Sequence, residues 1–214
     1  MIASDREELV FVHVPKTGGT AVSSLLKRVW PESRVIGRKH DGLASSAFAE
    51  VPAHFQTFAF VRNPWDRAVS WFSMMMNRYE SPAVNQGAFA QLVTYVGDRC
   101  STFDQYVELL GCPPDDAPKS MNLLLETQLR VVSRSRSLET GCDMIGRFES
   151  LERDLSLILS LSLHRSLEHG GMKGVLRREN SSERARYADY YDRQLRAAVG
   201  ELFEADIEAF DYDF

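Results

Sequence analysis

The feature that most constrains this chain is a short apolar run that ends in a glycine turn and continues as an amphipathic helix. Residues 9–14, Leu-Val-Phe-Val-His-Val, stop at Pro15 and are typical of a buried strand. Gly18 and Gly19 follow. Apolar residues then recur at helical spacing, at Val22, Leu25, Leu26 and Val29. Strand, tight turn and helix in this order indicate an α/β fold.

Later patterns continue the alternation of strands and helices. Strands are predicted at 33–37, 55–61, 129–133 and 144–148, and helices at 43–50, after Asn63, at 103–110, from Leu151 and within 184–210. We therefore expect an α/β fold with a small, largely parallel central sheet flanked by helices. A length of 214 residues with 44% apolar residues suits one domain over 1–214, with 79–136 as a long insertion between core strands.

The glycine turn, Lys16-Thr17-Gly18-Gly19-Thr20, has the composition of an anion site. Backbone N–H groups are exposed in such a turn, and the N-terminus of the following helix adds about half a positive charge. The Lys16 ammonium and the Thr17 and Thr20 hydroxyls add donors. The turn is not the nucleoside-triphosphate P-loop, because its lysine precedes the glycines instead of following them. An ordinary βα turn, in which Gly-Gly only eases the corner, is the alternative.

A second candidate anion site follows the predicted strand 55–61. Arg62 lies at the carboxyl end of this strand, the edge at which ligands bind in open α/β sheets. Asn63 and Pro64 then predict a helix start, and Ser70 lies two turns along, facing the same way as Asn63. Arg62 can bind a phosphate through two parallel hydrogen bonds, with the Ser70 hydroxyl in support. Alternatively, Arg62 pairs with a nearby acid and Ser70 is solvated.

Two anion sites at adjacent strand ends predict a ligand with two separated phosphate groups. At these residues the chain resembles the sulfotransferases that use 3′-phosphoadenosine 5′-phosphosulfate (PAPS), specifically the branch of carbohydrate 2-O- and 4-O-sulfotransferases with their bacterial relatives. The resemblance is carried by residues 13–20, His-Val-Pro-Lys-Thr-Gly-Gly-Thr, and 62–67, Arg-Asn-Pro-Trp-Asp-Arg, with Ser70 eight residues after Arg62. Weaker matches at 39–40, 145–151 and 210–212 extend it from residue 9 to the end.

The resemblance implies a P-loop-like fold, PAPS as sulfuryl donor, adenosine 3′,5′-bisphosphate as product, and no metal. It implies that the 5′-phosphosulfate is held by Pro15, Lys16, Thr17, Gly18, Gly19 and Thr20. It also implies that Arg62 and Ser70 hold the 3′-phosphate. Arg177 and Asn180 follow a glycine-containing loop and are expected to close over the nucleotide, with a solvated loop as the alternative.

Sulfuryl transfer to a hydroxyl needs a base with a pKa near neutrality, which favours histidine, and Lys16 is expected to stabilise the leaving oxygen. His40 follows the candidate strand 33–37 at its carboxyl end and matches the Lys-His element of the resembled family, in which this histidine is the base. A surface histidine is the alternative. His13 is expected in the core and His54 at the opposite edge of the sheet.

Charge and composition limit the partners. With 25 Lys and Arg against 30 Asp and Glu, the net charge of −5 gives no reason to expect nucleic acid. The three cysteines are isolated, and no signal-peptide core or run of about 20 apolar residues is present, so we expect a cytoplasmic protein without a transmembrane segment.

A glycan hydroxyl is the favoured acceptor. Polar residues that could meet an anionic sugar are Arg78, Arg99, Lys119, Gln128, Arg130, Arg134 and Arg136.

Two other functions stay open at this point. A small-molecule or nucleotide kinase would need a Walker-type loop and an Asp for Mg²⁺, and this loop is absent from the sequence. A non-catalytic module would keep the bisphosphate site without turnover, and the presence of both Lys16 and His40 argues against it.

Overall fold

The computed structural model describes residues 1–81, 87–134, 140–163 and 184–214. The chain divides into two compact units. The first contains Met1–Arg62 and the described part of Gln128–Ser181, and the second contains Asn63–Thr127 and the described part of Ser182–Phe214. The expectation of one domain over 1–214 with an insertion at 79–136 stays a prediction.

The described residues form five strands and nine α-helices. The strands are β1 (Ile2–Ser4), β2 (Leu9–Val12), β3 (Arg34–Val35), β4 (Gln56–Val61) and β5 (Met144–Arg147). The helices are α1 (Gly19–Val29), α2 (Pro64–Tyr79), α3 (Ala88–Gly97), α4 (Phe103–Gly111), α5 (Asn122–Leu125), α6 (Gln128–Val132), α7 (Leu151–Leu163), α8 (Arg193–Leu202) and α9 (Glu204–Phe210).

The first unit is built on a single sheet with strand order β3-β1-β2-β4-β5. Strands β2, β4 and β5 pair in parallel, whereas β1 pairs antiparallel with both β2 and β3. Strand β1 is therefore the only one of the five that runs against the others. The expected α/β class with a largely parallel sheet is confirmed, and the arrangement is consistent with a P-loop-like fold.

Helices α1 and α7 pack against the sheet through a shared apolar cluster. Its buried members are Ile2, Leu9, Phe11, Val22, Leu25, Leu26, Trp30, Phe58, Phe60, Leu155, Ile158 and Leu159. Each fully buried side chain of this size stabilises the fold by about 1.5–3 kcal/mol relative to its exposed state. This packing fixes where α1 begins, and so fixes the glycine turn at the sheet edge.

One predicted strand is wrong, the helix predicted at 43–50 is a shorter 3₁₀ helix over Ser46–Glu50, and some observed elements were not predicted. The strand expected at 129–133 is wrong, because these residues belong to α6. A short apolar run does not distinguish a strand from a buried helix, and Leu129, Val131 and Val132 are buried in the helical form. Strand β1 has only three residues and is followed directly by polar ones, so its pattern does not indicate a strand. Helix α3 has no sequence signal at its start, because Gly87, which precedes it, offers no capping side chain.

The second unit begins with the predicted helix start. The Oδ1 atom of Asn63 accepts hydrogen bonds from the backbone N–H groups of Trp65 at 3.0 Å and Asp66 at 3.3 Å. Pro64 occupies the first helical position. Arg184 forms an ion pair with Asp66 in the first turn of α2. The core of this unit lies among α2, α3, α4 and α8 and is rich in aromatic residues such as Phe72, Phe103, Tyr106 and Phe203.

No helix within the described ranges is both long and apolar enough to cross a membrane.

Candidate active site

The turn between β2 and α1 contains two residues with left-handed backbone. Lys16 has φ +71° and Gly18 has φ +76°. A non-glycine residue in this region costs on the order of 1–3 kcal/mol and persists only where its surroundings hold it. Such positions cluster at ligand-binding sites. The residue with this strain, Lys16, is also the residue whose side chain is predicted to bind an anion.

Gly18 is favoured by its left-handed backbone and Gly19 by close packing. A Cβ atom on Gly18 would lie 2.8 Å from Cδ2 of Leu151, and one on Gly19 would lie 2.3 Å from Cδ2 of His13. Gly18 precedes the first residue of α1 and has no side chain to cap it. No N-cap side chain therefore covers the first backbone N–H groups of α1, where the helix follows the turn.

The two threonines of the turn make different contacts. The buried Thr17 hydroxyl donates to the carbonyl of Val14 at 3.0 Å, so its hydrogen is used inside the turn. The Thr20 hydroxyl lies at the surface and accepts a hydrogen bond from the Lys39 ammonium at 3.2 Å. Lys39 thus brings a second cation to the turn that contains Lys16.

Arg62 is held at the carboxyl end of β4 from both its backbone and its side chain. Its N–H donates to Oε1 of Gln128 and its carbonyl accepts from Nε2 of Gln128, both at 2.8 Å. Its Nη1 donates to the carbonyl of Lys16 at 3.0 Å. Its guanidinium lies 4.0 Å from the ring centroid of Phe148, which follows β5. The Lys16 turn and Arg62, predicted as two neighbouring anion sites, are adjacent in the structure.

Gln128 is a structural member of this site that the sequence did not reveal. It was predicted as a possible contact for an acceptor, but its side chain is fully buried and bonds the backbone of Arg62. The two residues are 66 positions apart in sequence. No local pattern marks a glutamine for this role, because the role depends on the tertiary position of α6.

His40 lies beside the same turn and has a hydrogen-bond partner that favours one tautomer of its ring. Its Nδ1 is 3.3 Å from the carbonyl oxygen of His13. Because a carbonyl oxygen only accepts hydrogen bonds, Nδ1 carries the hydrogen and Nε2 carries a lone pair. Burial lowers the pKa of His40, although the bond to the His13 carbonyl partly opposes the shift. His40 is therefore neutral at pH 7 and suited to accept a proton at Nε2.

The other described histidines match their predicted environments. His13 is buried, and burial together with His40 and Lys39 lowers its pKa to about 3. His54 is exposed beside the start of β4 and lies 3.6 Å from Glu8. His54 is thus near the amino end of β4, whereas Arg62 follows the carboxyl end of the same strand.

The remaining predicted site residues are not part of this cluster as described. Ser70 lies in the second unit, on α2, and is buried. Its contact with a ligand stays a prediction. Arg177 and Asn180, as well as Arg136, lie outside the described residues. Among the residues that the structure does describe, no three His, Cys, Asp or Glu side chains are grouped so that they could hold a metal ion.

A mostly parallel sheet whose carboxyl edge collects cationic side chains and a helix N-terminus is the framework of an α/β enzyme that acts on anionic substrates. Comparison with protein families agrees with this class, since the model of the sulfotransferase family matches residues 1–213. The chain belongs to the sulfotransferase family and is a transferase that moves a sulfuryl group. Neither the curated proteins nor the solved structures gave a significant match.

Proposed function

We propose that this protein transfers the sulfuryl group of PAPS to a hydroxyl of a carbohydrate and releases adenosine 3′,5′-bisphosphate. The observation that carries the proposal is the 3.0 Å hydrogen bond from Nη1 of Arg62 to the carbonyl of Lys16. It joins the two predicted anion sites at neighbouring strand ends. A nucleotide with a phosphate at each end of its ribose is the ligand that such a pair of sites would take.

The turn with Lys16 is suited to the 5′-phosphosulfate. Its left-handed residues and the N-terminus of α1 supply backbone donors and a positive field, to which Lys16 adds a full charge. Pro15 and the buried Thr17 hold the path of the turn, and Gly18, Gly19 and Thr20 line it. This donor set is typical of sites that bind phosphate and sulfate groups.

Arg62 is suited to the 3′-phosphate. The ring of Phe148 fixes the plane of its guanidinium, and Gln128 fixes its backbone. A guanidinium held in this way is pre-organised for paired hydrogen bonds to phosphate oxygens. We assign Ser70 to the same phosphate on the family resemblance alone.

His40 is the proposed base. Its Nε2 takes the proton of the acceptor hydroxyl as the acceptor oxygen forms its bond to sulfur. The bond from sulfur to the bridging oxygen of the donor breaks, and Lys16 stabilises the negative charge that this oxygen gains. By analogy with phosphoryl transfer, we expect a loose, in-line transition state, in which positioning and charge stabilisation supply most of the catalysis. A general base typically adds about 10²–10⁴-fold.

The carbohydrate acceptor is proposed from the family resemblance. Two of the arginines considered for an anionic sugar have local acid partners: Arg99 pairs with Asp116 at 2.9 Å, and Arg134 lies 3.6 Å from Asp143. These contacts give no preference for an anionic over a neutral sugar. The acceptor class therefore has to be determined by assay.

Thermal melting with added nucleotides tests the donor. Adenosine 3′,5′-bisphosphate at 100 times its Kd should stabilise the fold by about 2.7 kcal/mol, or about 5–10 °C for a chain of this size. ATP with Mg²⁺ should give no such shift. A shift with ATP and Mg²⁺ alone would favour the kinase, whereas bisphosphate binding without transfer from labelled PAPS to any of a panel of sugars would favour the binding module.

A further inference from the structure

His13 is a buried histidine that has no role in the proposed chemistry, although it contacts both the glycine turn and the proposed base, His40. Its exposed fraction is 5%. It directly follows β2, whose last residue is Val12, and directly precedes the segment that leads into the turn.

The ring of His13 covers the first residue of α1. A Cβ atom on Gly19 would lie 2.3 Å from Cδ2 and 2.5 Å from Nε2 of His13. Its other nitrogen, Nδ1, is 3.5 Å from the hydroxyl of Ser23, one turn further along α1. The imidazole therefore lies along the N-terminal turn of the helix that closes the anion site.

The same residue contacts the base in two ways. The ring centroids of His13 and His40 are 4.8 Å apart and the rings are nearly perpendicular, at 80°. The backbone carbonyl of His13 is the acceptor that faces Nδ1 of His40 at 3.3 Å. One contact sets the position of the His40 ring, and the other sets which nitrogen carries the hydrogen.

We propose that His13 is a positioning residue for the base: its imidazole, wedged between Gly19 and His40, holds the base in a fixed place relative to the anion-binding turn. Its carbonyl keeps His40 in the form with hydrogen on Nδ1, so that Nε2 points its lone pair toward the acceptor. The proposal rests on the proposed role of His40.

Other groups around His40 must be separated from His13 in any test. The Lys39 ammonium lowers the pKa of His40, Asp41 raises it, and the N-terminal amino group of Met1 lowers it. The three atoms nearest to a Cβ on Gly19 all belong to the His13 ring. A variant at His13 therefore changes the link to the turn while the charges near His40 stay in place.

The first measurement is the ¹⁵N NMR spectrum of His40 in the protein without nucleotide. The wild type should show His40 mainly with hydrogen on Nδ1. His13→Ala keeps the carbonyl but loses the ring that holds His40 against it, so this variant should show a mixture of both forms. His13→Phe, which keeps a ring over Gly19, should stay closer to the wild type. Wild-type His40 mainly with hydrogen on Nε2 would overturn the proposal, and this outcome does not depend on whether His13→Ala folds.

The second measurement compares turnover with binding. His13→Ala should lower kcat with PAPS about tenfold to a hundredfold, since small misplacements of a base have effects of this size. Its Kd for adenosine 3′,5′-bisphosphate should change less than about threefold, and His13→Phe should recover part of kcat. A folded His13→Ala with unchanged kcat and an unchanged spectrum would overturn the proposal. If the spectra agree but PAPS is not a substrate, the proposed function fails while the link between His13 and His40 stands.

Discussion

Nη1 of Arg62 donates a hydrogen bond to the carbonyl of Lys16 at 3.0 Å. This bond connects the end of β4 to the turn that follows β2, and the two strands are parallel neighbours. Because the carboxyl ends of parallel strands share one edge, the guanidinium of Arg62 meets the backbone of the Lys16 turn there. The bond also ties the strained backbone of Lys16 to a residue whose own backbone is fixed by Gln128.

Replacement of Lys16 separates its charge from its backbone strain. Lys16→Ala and Lys16→Gly both remove the ammonium and should each lower kcat with PAPS by about 10²–10³. Glycine tolerates φ +71° without a steric cost, so Lys16→Gly should be more stable than Lys16→Ala by up to about 1 kcal/mol. Urea unfolding measures the difference. Equal kcat in the wild type and either variant would show that Lys16 has no part in transfer.

Loss of the His40 imidazole should stop turnover without loss of the nucleotide. His40→Ala should lower kcat by about 10²–10⁴, the usual contribution of a general base, and bind adenosine 3′,5′-bisphosphate within about threefold of the wild type. His54→Ala is the matched control, because His54 is exposed at the other end of β4. If His40→Ala transfers sulfate at the rate of His54→Ala, another group is the base.

Gly19 and His13 should behave as a coupled pair. Gly19→Ala should destabilise the fold, since its Cβ would lie 2.3 Å from the His13 ring. In the His13→Ala background the same change should be neutral or stabilising, because alanine favours a helix over glycine by about 1 kcal/mol. Urea unfolding of the two single variants and the double variant gives the coupling energy. Additive effects would mean that the ring does not occupy this space.

The adjacency of the Lys16 turn and Arg62 could be predicted because the elements that place them are local. An apolar run, a glycine turn and the Asn-Pro helix start predict the positions of Lys16 and Arg62, whereas His40 is proposed from the end of a candidate strand and the family resemblance. Gln128 and Phe148 could not be found in this way. Each meets Arg62 only after distant segments have folded onto the sheet, Gln128 from α6 and Phe148 from the end of β5.

The fold shows the same division between local and distant information. Residues 129–133 have an apolar pattern that fits a strand or a helix, and only their burial as α6 selects the helix. Strand β1 has three residues and is defined by its pairing with β2 and β3, not by its own composition. The bond between His40 and the His13 carbonyl also joins residues 27 positions apart, so no motif predicts it.

Because His13 is buried, the free energy of unfolding of the protein should depend on pH. Burial lowers its pKa from 6.5 to about 3 in the folded protein. Between these values the unfolded chain binds a proton that the folded chain does not, so the free energy of unfolding should decrease as the pH falls from about 6.5 toward 3. One proton contributes about 1.4 kcal/mol for each pH unit.

Urea midpoints at pH 7, 6, 5 and 4 measure this dependence. His13→Phe cannot titrate and should show a slope smaller by about one proton than that of the wild type, while His54→Ala should keep the wild-type slope. A slope in His13→Phe equal to that of the wild type would contradict a neutral, buried His13.

The most direct test of the account is calorimetric titration of the wild type and Arg62→Ala with adenosine 3′,5′-bisphosphate and with adenosine 5′-phosphate. The wild type should bind the bisphosphate about tenfold to a hundredfold more tightly, the range expected for a charge-assisted contact to the 3′-phosphate. In Arg62→Ala the two nucleotides should bind almost equally, and Arg28→Ala, an exposed arginine on α1, should keep the wild-type preference. Equal affinity of the wild type for both nucleotides would contradict the claim that Lys16 and Arg62 hold the two ends of one ligand.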